Sequence, residues 1–203
     1  MGKSKVYRSF DKSNIKCVLV GDATVGKSCL AHRLATHGFT EEYTPTMFDN
    51  YAATTTVDGK PYILSIFDTS GQEEFDRLRA MAYLKCDVFF VCFSVARPES
   101  AQNVLSTWIP EVTQYSPDSE IILVGTQIDR RDEDESTSSS VVRHDFVSTK
   151  EGLNLATKIG ADYVECSSLT EAGISRLKEA AVHAGLNSHK PTDQSCCGSC
   201  AIV

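Results

Sequence analysis

Apolar positions along this chain fall into two patterns. Ile15-Lys16-Cys17-Val18-Leu19-Val20, Val88-Phe89-Phe90-Val91-Cys92-Phe93 and Ile121-Ile122-Leu123-Val124 are short, nearly continuous apolar runs. Strands buried on both faces of a parallel sheet have this character. Tyr163-Val164-Glu165-Cys166 is a shorter run of the same kind. Ala52 to Val57 and Tyr62 to Phe67 are two more, joined by Asp58-Gly59-Lys60-Pro61. Asp-Gly is a strong hairpin signal. Between these runs the spacing turns helical. Cys29 to Ala35, Phe75 to Leu84, Thr149 to Ile159 and Glu171 to Gly185 read as helices. In the last of them Ile174, Leu177, Ala181 and Ala184 keep to one face. Pro98 and Glu99 open a further helix, and Pro110 inside it predicts a kink. Gly38 ends a helix and Pro45 excludes one, so 38–51 reads as an aromatic-rich loop.

Strands and helices alternate, with one hairpin. That predicts an α/β fold: a mostly parallel sheet of about six strands, one of them antiparallel, with helices on both faces. In such a sheet the site lies in loops at the carboxyl ends of strands. Residues 1–14 form a polar extension, 15–186 one domain, and 187–203 a polar tail. Residues 130–148 are acidic at Asp132-Glu133-Asp134-Glu135 and then serine-rich, a solvated insertion.

Chemistry appears in three of those loops. Gly21-Asp22-Ala23-Thr24-Val25-Gly26-Lys27-Ser28 reads G-x-x-x-x-G-K-S, the P-loop pattern of phosphate binding. Gly21 and Gly26 let backbone N–H groups converge on an anion, and Lys27 reaches the β- and γ-phosphates. Ser28 offers a hydroxyl to Mg²⁺, and the following helix presents its positive end. Asp68, ending a strand, fits a carboxylate that holds Mg²⁺ through its water shell. Gly71 lets an amide approach a γ-phosphate, and Gln72 stands where it can orient a water. Thr126-Gln127-Ile128-Asp129 is the third loop. Thr46, in the aromatic loop, can give Mg²⁺ a second hydroxyl.

Composition narrows the setting. A net charge of −7 with no basic stripe excludes a nucleic-acid partner. No apolar run approaches membrane-spanning length. Met1 to Asn14 lacks the apolar core of a secretory signal, and Val6 stands where a myristoylation motif needs Ser or Thr. Cys17, Cys92 and Cys166 lie in strand-like runs, Cys29 and Cys86 in or near helical ones, as reduced thiols of a cytosolic protein do. The chain ends Cys196-Cys197-Gly198-Ser199-Cys200-Ala201-Ile202-Val203, in which Cys200 opens a C-a-a-X prenylation motif. One lipid chain binds marginally and no polybasic patch is near, so Cys196 and Cys197 are candidates for palmitate as the second anchor.

Together, GDATVGKS, YTPTMFDNY, DTSGQEEFDRLR, ILVGTQID and ECSSL resemble the Ras superfamily of small GTPases, and within it the Rho family, over Ile15 to Gly185. The Thr-Gln-x-Asp motif with Gln-Glu-Glu-Phe-Asp is most similar to the Wrch/Chp branch, although Met1–Asn14 lacks the proline of that branch's arm. The insertion falls where Rho proteins carry an extra helix. The resemblance implies a GTP/GDP switch that needs Mg²⁺ and hydrolyses GTP. It assigns nucleotide contacts to Gly21, Asp22, Ala23, Thr24, Val25, Gly26, Lys27, Ser28, Cys29, Phe39, Tyr43, Thr46, Asp68, Gly71, Thr126, Gln127, Asp129, Ser167, Ser168 and Leu169. Mg²⁺ goes to Ser28, Thr46 and Asp68; catalysis goes to Gln72, Lys27 and Thr46. Phe39 would pack on the guanine, Asp129 would accept from its N1 and N2, and the Ser168 amide would donate to O6.

The resemblance also implies an effector loop of Tyr43, Thr44, Pro45, Thr46, Met47, Phe48, Asp49, Asn50 and Tyr51. Partners would be Rac-like effectors, guanine-nucleotide exchange factors and GTPase-activating proteins. The protein would be lipid-anchored on the cytoplasmic face of the plasma membrane or endomembranes, with some in the cytoplasm, and act in actin cytoskeleton, cell-shape and migration signalling. The Wrch/Chp branch adds palmitate without prenylation as an alternative.

Three positions depart from the family pattern. Ala23 replaces Gly and crowds the place of an activating protein's arginine, a group worth about 10³–10⁵ in rate. No arginine of this chain is an obvious substitute for it in cis. Gln127 replaces the Lys that lies over the base, which implies faster exchange. Ser70 replaces Ala beside Gly71. High GTP occupancy follows. A GTP-locked, non-hydrolysing scaffold is the alternative. An unrelated P-loop ATPase or kinase is disfavoured by Asp129 and the Ser167-Ser168 turn.

Overall fold

The computed structural model describes residues 13–36, 47–131 and 145–188. Its centre is a six-stranded sheet. Strands β1 (Asn14–Val20), β3 (Lys60–Thr69), β4 (Val88–Ser94), β5 (Glu120–Thr126) and β6 (Asp162–Glu165) run parallel, and β2 (Phe48–Val57) pairs antiparallel with β3. The order is β2-β3-β1-β4-β5-β6. The predicted fold class is therefore the observed one.

Each buried strand feeds two cores. Along β1, Ile15, Cys17 and Leu19 face one cluster, and Val18 and Val20 the other. Along β4, Val88, Phe90 and Cys92 alternate with Phe89, Val91 and Phe93. A period of two with both faces covered makes such runs continuous in sequence. Helix α1 (Lys27–Ala35) contributes Leu30, Ala31 and Leu34 to the first cluster. Helix α6 (Ile174–Asn187) adds Ile174, Leu177, Ala181 and Ala184 to it, the face predicted for this helix. The second cluster takes Ala82 and Tyr83 from α2 (Asp76–Tyr83), Val112 from α4 (Ile109–Tyr115) and Ala156 from α5 (Thr149–Ile159).

Local chemistry sets the turns. Val57 pairs with Lys60, so the hairpin turn is only Asp58-Gly59. Both have positive φ, 50° and 74°, the type I′ geometry that matches strand twist. Helix α5 begins with a complete capping box: the Ser148 hydroxyl accepts from the Glu151 amide while the Glu151 carboxylate accepts from the Ser148 amide. It ends at Gly160, at φ 68°.

Two expectations need correction, and two more gain detail. Phe48 to Tyr51 are strand, because β2 follows β3 as far as Thr69 and the pairing extends the ladder past Ala52. Where a kink was expected at Pro110, the helix carries a π-type stretch, Val104–Trp108, between α3 (Pro98–Asn103) and α4. A proline lacks the N–H and crowds the carbonyl four residues back, and the ladder shifts register to absorb it. The last helix begins at Ile174 rather than Glu171, since Gly173 at φ 75° breaks the chain before it. Part of the stretch read as the 130–148 insertion is described as well. Residues 128–131 are helical, Val147 is buried, and its amide donates to the Val95 carbonyl at 2.8 Å. The rest of that insertion lies outside the described residues.

Gly152 in α5 faces the Tyr163 ring, where an added Cβ would sit 2.2 Å away. Tyr163 in turn stacks on Phe93, with an interplanar angle of 7°. Gly152→Ala should therefore destabilise the domain by about 1–3 kcal/mol, read as a lowered urea midpoint at unchanged slope.

Candidate functional site

The loop after β1 turns sharply because the chain must pass close to β4. A Cβ on Gly21 would lie 2.2 Å from the Cys92 carbonyl oxygen. Gly26, at φ 91°, stands at the N-cap of α1, and no side chain caps that end. The first-turn amides are thus presented to an anion. Lys27 is 6% exposed, and its ammonium donates to the carbonyls of Gly21 at 2.8 Å and Asp22 at 2.7 Å. Burial lowers its pKa, while Cys92, Asp68 and Asp22 act in the opposite direction. The Asp22 carboxylate is fastened outside the loop by the Trp108 indole N–H and the Asn103 amide, both at 2.7 Å.

The strand β3 delivers the second loop. The Thr69 hydroxyl donates to the Leu19 carbonyl at 2.6 Å, tying the end of β3 to the start of the P-loop. A Cβ on Gly71 would lie 2.4 Å from the Gly21 carbonyl oxygen and 2.5 Å from the Ala23 nitrogen. Only glycine lets the two loops meet this closely. Ser70 has a defined role: its hydroxyl accepts the Gln72 amide at 3.3 Å, bending the chain at Gly71. Arg79 secures the same segment, donating to the carbonyls of Ser70 at 2.8 Å and Gln72 at 3.2 Å. Its guanidinium is held in turn by Glu111 and Asp76 and lies 5.0 Å from the Trp108 ring.

A cleft between these loops is lined by Ala23, Thr24, Gly26, Lys27, Ser28, Cys29, Thr69, Ser70, Gly71, Gln72 and Gln127. Sequence reasoning had named all of these but Thr69 as site or departing positions. The Asp68 carboxylate is fully buried beneath it, and its charge acts on Lys27 and Cys29, the neighbours of Ser28 on either side. Burial, then Asp68, keeps the Cys29 thiol above its ordinary pKa, so it stays protonated. Among the described residues no cluster of three His, Cys, Asp or Glu side chains could hold a metal unaided. A carboxylate and a hydroxyl beside an anion cradle fit Mg²⁺, which takes few protein oxygens and completes its shell with phosphate and water. Asp68 and Ser28 would hold it, and when bound it would neutralise phosphate charge.

The third and fourth loops meet at Ser167, which is fully buried. Its hydroxyl donates to the Asp129 carboxylate and accepts from the amides of Leu169 at 3.2 Å and Thr170 at 3.1 Å. One side chain therefore fixes both the Asp129 loop and the loop after β6. Gln127, at φ 61°, accepts from the Ser94 hydroxyl at 2.6 Å and reaches the Thr24 carbonyl at 3.5 Å. The Thr126 hydroxyl lies 2.5 Å from the Val25 carbonyl and 2.9 Å from that of Phe93, joining β5 to the P-loop.

Three arginines escaped the sequence reading. Arg33 of α1 donates to the carbonyls of Ser168 at 2.6 Å and Leu169 at 3.2 Å and pairs with Glu171. Arg79 holds the Gln72 segment. Arg97 reaches the P-loop rim, donating to the Ala23 carbonyl at 2.9 Å and contacting the Thr24 hydroxyl. The only sequence signal for Arg33 was a charge on the apolar face of a short helix. Neither Arg79 nor Arg97 gave any, because the loop groups they hold are main-chain carbonyls of Ser70, Gln72 and Ala23, which carry no residue-type signal.

Of the effector loop, Met47 is exposed, Asp49 and Asn50 face solvent, and Phe48 packs on Phe67 from the edge strand β2. Phe39, Tyr43, Thr44, Pro45, Thr46, Cys196, Cys197 and Cys200 lie outside the described residues.

Sheet order, anion cradle, buried carboxylate and the Asp129 loop tied to Ser167 fit a P-loop nucleotide-binding protein. The chain matches the model of the Ras family over residues 16–186, and it belongs to that family. It is a small GTPase, a switch that binds GTP and GDP and hydrolyses GTP, with regulators and effectors as partners.

In this setting the chain's own groups divide the work. Lys27 and the P-loop amides would bind a phosphate and neutralise the charge that grows at the β–γ bridge. Gln72 is held through its backbone by Ser70 and Arg79 in the cleft wall, from where it would orient an attacking water. Gly71→Ala should push the two loops apart and lower single-turnover GTP hydrolysis by about a hundredfold, while GDP is still retained. Ser167→Ala frees Asp129 and two amides together. Its affinity for a fluorescent GDP analogue should fall by at least about tenfold.

Proposed function

We propose that this protein is a Rho-type small GTPase of the Wrch/Chp kind, with high GTP occupancy and slow hydrolysis. The quoted motifs carry the family branch. The base of the insertion supports it: Arg131 donates to the Val147 carbonyl at 3.2 Å and grips Glu165 with both terminal nitrogens, at 3.0 and 2.8 Å. The chain therefore leaves at 131 and returns at 147 to one anchored point, as a segment added to a complete fold must.

The observation that carries slow hydrolysis is Ala23, in the same cleft wall as Gly71 and Gln72. Its methyl group takes space that a partner's arginine needs, and that arginine is worth about 10³–10⁵ in rate. Retention of Gln72 in that wall favours slow turnover over a locked scaffold. In the GTP form the protein would bind Rac-like effectors through the effector loop, Tyr43 to Tyr51, and the edge of β2. It would act on actin, cell shape and migration, anchored on cytoplasmic membrane faces by lipids on Cys196, Cys197 and Cys200. Among the described residues no helix is long and apolar enough to cross a membrane, and a lipid anchor needs none.

Ala23→Gly should raise hydrolysis stimulated by a Rho-type activating protein at least about a hundredfold and leave the unstimulated rate within a few-fold. Stopped-flow phosphate release reads both. No gain in the stimulated rate rejects the crowding argument. Competition of GTP against ATP on the same preparation tests guanine selection, and equal displacement rejects it.

A further inference from the structure

Thr24 is a β-branched residue at φ 64°, a left-handed conformation that such residues rarely adopt. Something outside the P-loop must hold it there. Arg97 does so from one side, with its guanidinium on the Ala23 carbonyl at 2.9 Å and on the Thr24 hydroxyl. Gln127 does so from the other, with its amide 3.5 Å from the Thr24 carbonyl. Both are rooted at Ser94, whose hydroxyl donates to Gln127 and whose carbonyl accepts the Arg97 amide at 3.0 Å. The Arg97 carbonyl is engaged as well, by the Ser100 hydroxyl at 2.6 Å. The arginine is thus a pinned strut.

The consequence lies in the peptide between Ala23 and Thr24. In a trans peptide the carbonyl and the following N–H point in opposite directions. Ala23 and Thr24 line the cleft, whereas Arg97 does not. A carbonyl turned outward to Arg97 turns the Thr24 N–H inward, and the guanidinium polarises that peptide so that its N–H is a stronger donor.

We propose that Arg97 is a positioning residue for the phosphate site, aiming the Thr24 amide at the terminal phosphates of a bound guanine nucleotide. The proposal rests on the nucleotide-switch reading above. It gives this chain an arginine in cis that acts through the P-loop backbone rather than on the transferred phosphoryl group.

The test uses full-length, Mg²⁺-loaded protein carrying a fluorescent GDP analogue and chased with excess GDP. Arg97→Ala should release the analogue about tenfold faster, and Arg97→Lys, which can still reach one acceptor, should recover part of that loss. The ³¹P resonance of the GDP β-phosphate should move in Arg97→Ala and return toward wild type in Arg97→Lys. In a Thr24→Gly background, which has neither the hydroxyl nor the left-handed penalty, Arg97→Ala should cost clearly less than it does alone. Release within twofold of wild type in Arg97→Ala overturns the proposal. So does an undiminished effect of Arg97→Ala in the Thr24→Gly background, or a β-phosphate resonance that ignores residue 97. Wild-type protein that does not retain GDP is a separate failure, and it removes the switch reading itself.

Discussion

A buried ammonium that must be used as a charge is the constraint on which the rest of this structure depends. Lys27 loses most of its water when α1 packs beneath the P-loop, and burial pushes its pKa down. Two main-chain carbonyls and the neighbouring Asp68 charge offset that loss. The carbonyls belong to Gly21 and Asp22, so the lysine cannot be held unless the loop keeps its shape. Gly21 lies so near Cys92 that no side chain would fit, and Asp22 is fixed by Trp108 and Asn103. The tight loop, the buried lysine and the fixed aspartate are three aspects of one requirement.

Trp108 extends that requirement to the switch. It donates to Asp22 on one side, and its ring lies beneath the Arg79 guanidinium on the other. Arg79 holds the backbone of Ser70 and Gln72. The P-loop and the segment that carries Gln72 are therefore fastened to the same place on α4 and the π-type stretch before it. A nucleotide that moved one of them would act on the other through these contacts as well as through the phosphate. The Asp129 loop and the loop after β6 have a parallel arrangement, with Arg33 outside and Ser167 inside.

Much of this was legible in the sequence. The six strands, their parallel sense and the hairpin followed from apolar runs and one Asp-Gly turn. The α5 boundaries, Thr149 to Ile159, match their reading to the residue; Gly160 is a local stop signal, and the structure adds the capping box at Ser148. The ends that shifted were those set by partners. β2 is longer than its own sequence suggests because β3 offers it a ladder, and the helix after Arg97 takes up a π-type stretch where Pro110 must be fitted into a packed face. The Ser70 hydroxyl had no assignable role until its distance to the Gln72 amide was known.

What the chain alone determined was which chemical groups stand where along the backbone: the glycines and lysine of the anion loop, the strand-ending Asp68, and Asp129. These are short-range patterns, fixed by conformational freedom and spacing within a few residues. What only the tertiary structure decided was which long side chains hold those loops from outside. Arg33, Arg79 and Arg97 each hold their loop through carbonyls that any residue could supply, so no residue type in the sequence marks those acceptors. A backbone oxygen becomes a specific acceptor only when folding has placed it, and that placement belongs to the whole sheet.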